Sequence, residues 1–168
     1  MDGKDLIKKA YEAIFQSDFE QAIYWFEEAI KKEPVAADYH YKLSITCARS
    51  DKLQKAIIHA ETACLLNKEH EEYRYHLHTL QSRNWIEKAE NALRDHGTDP
   101  SVPITMLKEA LKLDPLSAKA YVLLGIAYAA QGHNEQAAEC IREALKLDPQ
   151  NENALKWMEE LQRELPET

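Results

Sequence analysis

The sequence contains few residues that form turns: four glycines and six prolines among 168 residues. A turn-rich β protein needs more of both, because they supply the backbone conformations of tight turns. No apolar run approaches the length of about 20 residues that spans a membrane, and the opening residues Met1–Asp5 lack the apolar core of a secretory signal. We therefore expect a soluble helical protein of the cytoplasm with no membrane partner.

Positive charge and cysteine are also scarce. The chain has 29 acidic and 21 basic side chains, a formal net charge of -8, and no cluster of Lys and Arg. Such a chain repels phosphate backbones, so we expect no nucleic-acid partner. The three cysteines, Cys47, Cys64 and Cys140, are far apart and lie within helical patterns, which indicates buried thiols in a reducing compartment.

Apolar residues recur at three- and four-residue spacing, the period of a buried helix face. Leu6, Ala10 and Ile14 form one such stripe. The strict alternation of a half-buried strand does not occur. Each proline of the strings KKEP (31–34) and KLDP (112–115 and 146–149) marks a helix end, because proline cannot continue a helix. The pattern predicts an all-α protein.

A nine-residue string occurs almost unchanged in two places, as LKEALKLDP at 107–115 and IREALKLDP at 141–149, and more loosely as FEEAIKKEP at 26–34. Pro115 and Pro149 are 34 residues apart, whereas Pro34 and Pro115 are separated by two such periods and 13 further residues. Lys68 stands where the intervening proline is expected. The chain is therefore a repeat protein with an insertion between about residues 71 and 103.

This unit resembles the tetratricopeptide repeat, a helix–turn–helix of about 34 residues with small and aromatic residues at fixed positions. Residues 118–151 match best, through Tyr121, Leu124, Gly125, Tyr128, Ala137, Ile141, Ala144 and Pro149. Residues 3–36 and 37–70 match less closely, and 71–117 carries the insertion and departs from the pattern at His78 and Pro103. The resemblance implies a single domain over 1–168, a right-handed superhelical solenoid of about four α-hairpins. Residues 152–165, with Ala154, Met158, Leu161 and Leu165 on one side, are expected to form a capping helix.

Two structures are open for the insertion. No glycine or proline interrupts the chain from Glu71 to about Asp95, which favours one long first helix of about 24 residues. Alternatively, the helix breaks at Ser82-Arg83-Asn84, with Asn84 and Glu87 forming the next N-terminal cap. In either case a helical extension carries Trp85, which either packs on a neighbouring helix or forms a surface for a partner or a second copy.

Residues 67–78, NKEHEEYRYHLH, contain three histidines, a residue type that binds metals. His76 and His78 lie on different faces of a helix, and Arg74 stands where the second His of an HExxH string belongs. We expect a surface Glu72–His76 pair instead. No serine or cysteine has the surroundings of a nucleophile, so we predict no enzyme, no metal and no cofactor.

The resemblance implies a concave groove lined by the first helices of successive repeats. Helical phase assigns to this groove Ile7, Tyr11, Ile14, Phe15, Tyr41, Ile45, Arg49, Tyr75, Thr79, Arg83, Val122, Ile126 and Ala130. Aromatic residues and Arg are favoured binding anchors. We expect an adaptor that holds a peptide or helix of a partner protein, with apolar or aromatic residues and an acidic residue that meets Arg49 or Arg83. Alternatively, these side chains pack on adjacent helices.

Relatives that clamp a C-terminal carboxylate use Lys and Asn on the first helices. Here Ile7, Tyr11, Glu72 and His76 occupy most of those places, and only Lys42 is suited to the task, so that subtype is not expected. A dedicated chaperone for an exported or assembling partner is an alternative function. A self-associating scaffold, paired through the insertion or the repeat ends, is another.

Overall fold

The computed structural model describes residues 1–95 and 97–164. Within these ranges the chain forms nine α-helices and no strand, which confirms the all-α prediction. The helices are α1 (Gly3–Phe15), α2 (Phe19–Lys32), α3 (Ala37–Arg49), α4 (Leu53–Leu66), α5 (Glu71–Arg94), α6 (Ser101–Leu113), α7 (Ala118–Ala130), α8 (Asn134–Leu147) and α9 (Glu152–Glu164). They form two compact units, one from Met1 to Leu80 and one that begins at Gln81.

The turns inside three hairpins share one backbone conformation, a residue with positive φ just after the end of the first helix. Ser17, Asp51 and Gly132 follow α1, α3 and α7 with φ values of 61°, 60° and 75°. In each case the next N–H donates to a carbonyl five residues earlier in the chain, which is the Schellman ending of a helix. Small or polar residues suit this position because they tolerate the left-handed backbone.

The third hairpin lacks that conformation, and α5 is long as a result. Ser17 and Asp51 are 34 residues apart, and the next residue at that spacing is Trp85. A bulky side chain disfavours positive φ, and Trp85 lies inside α5, which continues unbroken for 24 residues. The structure thus confirms the long helix and rules out the break at Asn84.

The other helix ends depend less on proline than the sequence suggests. Glu33, Asp114 and Asp148 each precede a proline and leave the helix with φ between -132° and -139°. Asn67 has nearly the same backbone, φ -140° and ψ 87°, although Lys68 follows it. The repeat therefore keeps its geometry where the expected proline is missing.

Each unit has its own buried residues. In the first, α1–α4 pack around Phe26, Leu43 and Cys47, and Leu80 of α5 joins that cluster. In the second, α5, α6 and one side of α7 share a cluster around Leu107, while α7, α8 and α9 share another around Ile141.

The helix expected to form the cap is α9, and the described residues of its expected apolar side pack against the neighbouring cluster. Ala154 and Leu161 are buried, and Met158 is partly buried as expected. Trp157 also packs against this cluster, although the sequence analysis did not include it, and Leu165 lies outside the described residues. Trp157 therefore adds an indole to the packing of α9.

The prediction that all three cysteine thiols are buried is correct only for Cys47. Cys47 is fully buried, whereas Cys64 and Cys140 are partly exposed, and all three are free thiols. Burial raises the pKa of Cys47 and of Cys140 to about 11, and it also raises the pKa of Cys64. None of the three is therefore activated as a nucleophile.

Candidate functional site

The first unit presents one continuous surface along α1, α3 and the start of α5, called here the first-helix face. Contacts to aromatic rings show that α1 lies beside α3 and that α3 lies beside α5. Lys42 of α3 places its ammonium 5.5 Å from the centre of the Tyr11 ring of α1, and the rings of Tyr41 and His76 join α3 to α5 at 5.3 Å. The face carries Tyr11, Phe15, Tyr41, Ile45, Arg49, Tyr75 and Thr79.

Three aromatic side chains of this face are open to water. Phe15 is 92% exposed, Tyr75 is 68% exposed and Tyr11 is 47% exposed. Large apolar groups that share one exposed face are typical of binding surfaces. Tyr11 and Phe15 lie on α1 and Tyr75 lies on α5, and α3 contacts both of these helices.

Tyr41 is held in place by the protein itself. Its ring packs on Tyr73 at 4.6 Å, and its hydroxyl donates to Oε1 of Glu72 at 2.9 Å. Burial and this hydrogen bond raise the pKa of Tyr41 to about 12. Tyr41 therefore links α3 to α5 and forms the base of the face.

The remaining predicted positions divide between the core and the surface. Ile7 is buried in the first cluster, and Ile14 packs against it, because both lie on the side of α1 nearer to α2. Ile45 is partly exposed and Arg49 is exposed. Arg83 belongs to the second unit, where it pairs with Glu87 at 3.0 Å.

Lys42 has two partners within the face. Its ammonium is 2.6 Å from the Asp38 carboxylate and also lies over Tyr11. The hydrogen bond and charge of Asp38 raise the pKa of Lys42, although burial, the largest single effect, opposes them. A lysine held in this way neutralises Asp38 and is poorly placed to clamp a terminal carboxylate.

Ser44, His76 and Glu72 come together with the residue types of a hydrolytic triad. The hydroxyl of Ser44 donates to the carbonyl of Ala56 at 2.7 Å, so at 2.9 Å from His76 Nε2 it must accept that nitrogen's proton. A nucleophile requires the reverse direction, and Ser44 is fully buried. The group is structural, and the expected surface Glu72–His76 pair is incorrect because His76 faces Ser44.

A second pair of histidines links the hairpin of α3 and α4. His40 Nε2 is 3.1 Å from the carbonyl of Pro34, so it donates there. His40 Nδ1 must then accept from His59 Nδ1, 3.0 Å away. Burial, with the nearby His40 and Lys55, lowers the pKa of His59. The hydrogen bonds of this histidine pair are thus made with a neutral His59 ring.

The second unit has a different surface at the corresponding helices. A pocket of about 330 Å³ has an aliphatic floor formed by Val122, Leu123 and Ile126. Its polar walls are Asn151, Asn153 and the pair of Lys119 with Glu90, 3.0 Å apart. Of the predicted groove residues, Val122 and Ile126 line this pocket, while Ala130 is exposed at the end of α7.

Sequence reasoning missed most of the polar wall of this pocket. Lys119 lies one helical turn before Val122, so helical phase was sufficient to find it. Asn151, Asn153 and Glu90 come from α5 and from the segment that starts α9, and no periodicity within α7 indicates them.

Beside α6, Trp85 lines an apolar cavity of about 280 Å³ together with Val102 and Met106. Lys88 lies over its ring at 5.1 Å. Trp85 therefore packs at the edge of a surface recess rather than inside the core.

The described ranges contain neither a metal-ligand cluster nor a membrane-spanning helix. In residues 1–95 and 97–164, no three His, Cys, Asp or Glu side chains are grouped as metal ligands. In the same ranges, no helix combines the length and apolar composition of a membrane span.

Comparison with known proteins identifies the repeat. Family models described as tetratricopeptide repeat match residues 7–70 and 118–151. The fold is similar to that of MamA 41-end from Desulfovibrio magneticus RS-1 (18% identity, 96% of this chain and 84% of that one, TM-score 0.57). It is also similar to YrrB, described as a TPR protein with an unusual peptide-binding site (18%, 98% and 93%, TM-score 0.52).

A tetratricopeptide repeat protein from Parabacteroides merdae ATCC 43184 has 17% identity to the chain, with 96% of this chain and 60% of that one aligned and a TM-score of 0.54. A comparison with curated proteins found no match. At these identities the similarity concerns the fold.

Proposed function

The chain belongs to the tetratricopeptide-repeat family, and from that premise we propose that it is an adaptor that binds a peptide or helix of a partner protein on its first-helix surfaces. The observation that carries the proposal is the exposure of Tyr11, Phe15 and Tyr75 on one face of the first unit. Burial of aromatic rings is a major source of binding energy, at about 25 cal/mol per Å² of apolar area.

The base of this face is suited to the role because it is already ordered. Tyr41 is fixed by Tyr73 and Glu72, and Lys42 is fixed by Asp38. A partner that lands on Phe15 or Tyr75 therefore loses little energy to rearrangement of the groups beneath, which favours affinity.

The pocket on the second unit combines apolar and hydrogen-bonding groups. The floor of Val122, Leu123 and Ile126 is aliphatic, and the amide of Asn153 stands beside it. An aliphatic side chain with its backbone amide fits such a site, because the amide side chain both donates and accepts hydrogen bonds. This pocket is a second place for the same kind of partner segment.

A pull-down tests the proposal. The bait is the wild-type chain, compared with a Phe15→Ser, Tyr75→Ser variant whose helicity is unchanged. The matched control is Leu65→Ser, which removes an exposed apolar group from α4, where Leu65 is 71% exposed. We expect partners to be lost from the face variant and kept by the control. Equal retention by the wild type and the face variant contradicts the proposal.

Self-association is a second candidate, favoured by the apolar recess at Trp85. Trp85, Val102 and Met106 line it, and an aromatic group beside such a recess suits an interface between copies. Light scattering over a hundredfold range of concentration tests this function. A mass that rises with concentration in the wild type and not in Trp85→Ser supports it, and a constant monomer mass refutes it.

A further inference from the structure

The first unit contains both paired and unpaired cations. Lys31 of α2, Lys52 just before α4 and Lys55 of α4 each pair with a glutamate, whereas Lys32 of α2 has no such pair in the described part of the chain. On α1 and α3, no carboxylate pairs with Lys4, Lys8 or Arg49 within the described part of the chain. These three cations lie on the side that carries the exposed aromatic rings.

The cations share helix stripes with those rings. Lys4 and Lys8 lie seven and three residues before Tyr11, so they lie on the same side of α1 as Tyr11 and Phe15. Arg49 lies two turns after Tyr41 on α3. A ligand resting on Tyr11 and Phe15 therefore lies within reach of all three cations.

Two carboxylates of the same face are already engaged. Asp38 pairs with Lys42, and Glu72 accepts the hydroxyl of Tyr41. Glu71 and Glu72 both lie at the start of α5. Lys4, Lys8 and Arg49 lie on α1 and α3, whereas Glu71 and Glu72 lie on α5.

We propose that this face selects a partner segment with acidic residues next to aromatic or aliphatic ones, its acidic part over α1 and α3 and its apolar part over Tyr75. This inference rests on the proposed function, since it names the ligand of the same site. Its basis is charge complementarity: the overall charge is -8, yet Lys4, Lys8 and Arg49 of this face lack counterions in the described part of the chain. A partner carboxylate supplies them and gains charge-assisted hydrogen bonds.

The experiment is selection from a displayed library of random 12-residue peptides on the intact wild-type chain. Binding of the enriched peptides is then measured by fluorescence anisotropy at low and high salt. We expect enrichment of Asp or Glu beside Tyr, Trp, Phe or Leu. Affinity should fall between 0.1 M and 1 M salt, as the screening length shortens from about 10 Å to about 3 Å.

Charge-reversal variants locate the contact. We expect Lys8→Glu with Arg49→Glu to weaken the enriched peptides about tenfold or more, because a charge-assisted bond is about twice as strong as a neutral one. Arg142→Glu reverses an exposed charge on α8 and should leave affinity unchanged.

The outcomes separate this inference from the proposed function. Enriched peptides without acidic residues that still depend on Phe15 and Tyr75 overturn the inference and leave the proposed function standing. Acidic peptides unaffected by Lys8→Glu with Arg49→Glu also overturn it. Peptides that ignore Phe15 and Tyr75, or no enrichment at all, overturn both.

Discussion

Gly125 gives the sharpest test of how closely α7 and α8 pack. A Cβ atom at this position would lie 2.9 Å from Cδ1 and 3.0 Å from Cγ1 of Ile141, and 3.2 Å from the carbonyl oxygen of Ala137. Ordinary contacts between carbon atoms are about 3.5–4.0 Å. The Gly125→Ala side chain therefore fits only if Ile141 or the backbone of α8 moves.

Two opposing effects set the size of the change. Overpacking costs about 1–3 kcal/mol, whereas replacing a glycine inside a helix by alanine gains about 1 kcal/mol. We expect Gly125→Ala to lower the free energy of unfolding by about 0–2 kcal/mol, the difference of these two effects. In an Ile141→Ala background the nearest atoms are gone, so the same change should raise that free energy by about 1 kcal/mol.

The measurement is a double-mutant cycle on Gly125→Ala and Ile141→Ala by urea unfolding. Trp157 packs against the cluster that contains Ile141, so its fluorescence reports on this region once Trp25 and Trp85 are changed to Phe. A coupling of about 1–3 kcal/mol is expected, within the usual range for residues in contact. If Gly125→Ala stabilises both backgrounds equally, the close approach of α7 and α8 is refuted.

Two further predictions concern pH. Burial lowers the pKa of His59 and of His76, so below the unfolded value of about 6.5 the unfolded chain binds more protons and stability falls as the pH drops. A His59→Gln variant, whose amide still donates to His40, should show a shallower loss in urea unfolding from pH 8 to pH 5, and an unchanged slope refutes the assignment. The pKa of Tyr41 is raised to about 12 from 10.0, so the folded chain holds this proton longer and loses stability as the pH rises through that interval. Tyr41→Phe should reduce the loss of thermal stability between pH 9 and pH 11. A loss of stability equal to that of the wild type contradicts this prediction.

Much of the architecture was readable from the sequence because helices repeat their buried positions at fixed spacing. The 34-residue period located the hairpins, and the left-handed turns at Ser17 and Asp51 point to Trp85 as the place where that turn fails. The lysine at position 68, where the repeat has proline, does not change the end of α4, because Asn67 adopts the same backbone conformation without a following proline.

The candidate site was less readable, because its details depend on which side chains meet across helices. Helical phase assigned Tyr41 to the groove, but the same residue is fixed by Glu72 and Tyr73. Ile7 is buried because the interior of the first unit extends farther around α1 than its stripe suggests. The polar wall at Asn153 and Glu90 comes from two other helices, which no pattern within α7 reveals.

Site-specific photo-crosslinking tests the central claim most directly. Benzoylphenylalanine is placed at Tyr75, which is 68% exposed on the first-helix face, or at Leu65, which is 71% exposed on α4. After irradiation in lysate, the account predicts discrete protein adducts from position 75, lost when Phe15→Ser is also present, and none from position 65. Adducts from position 65 alone would place the partner on the second helices and contradict the account.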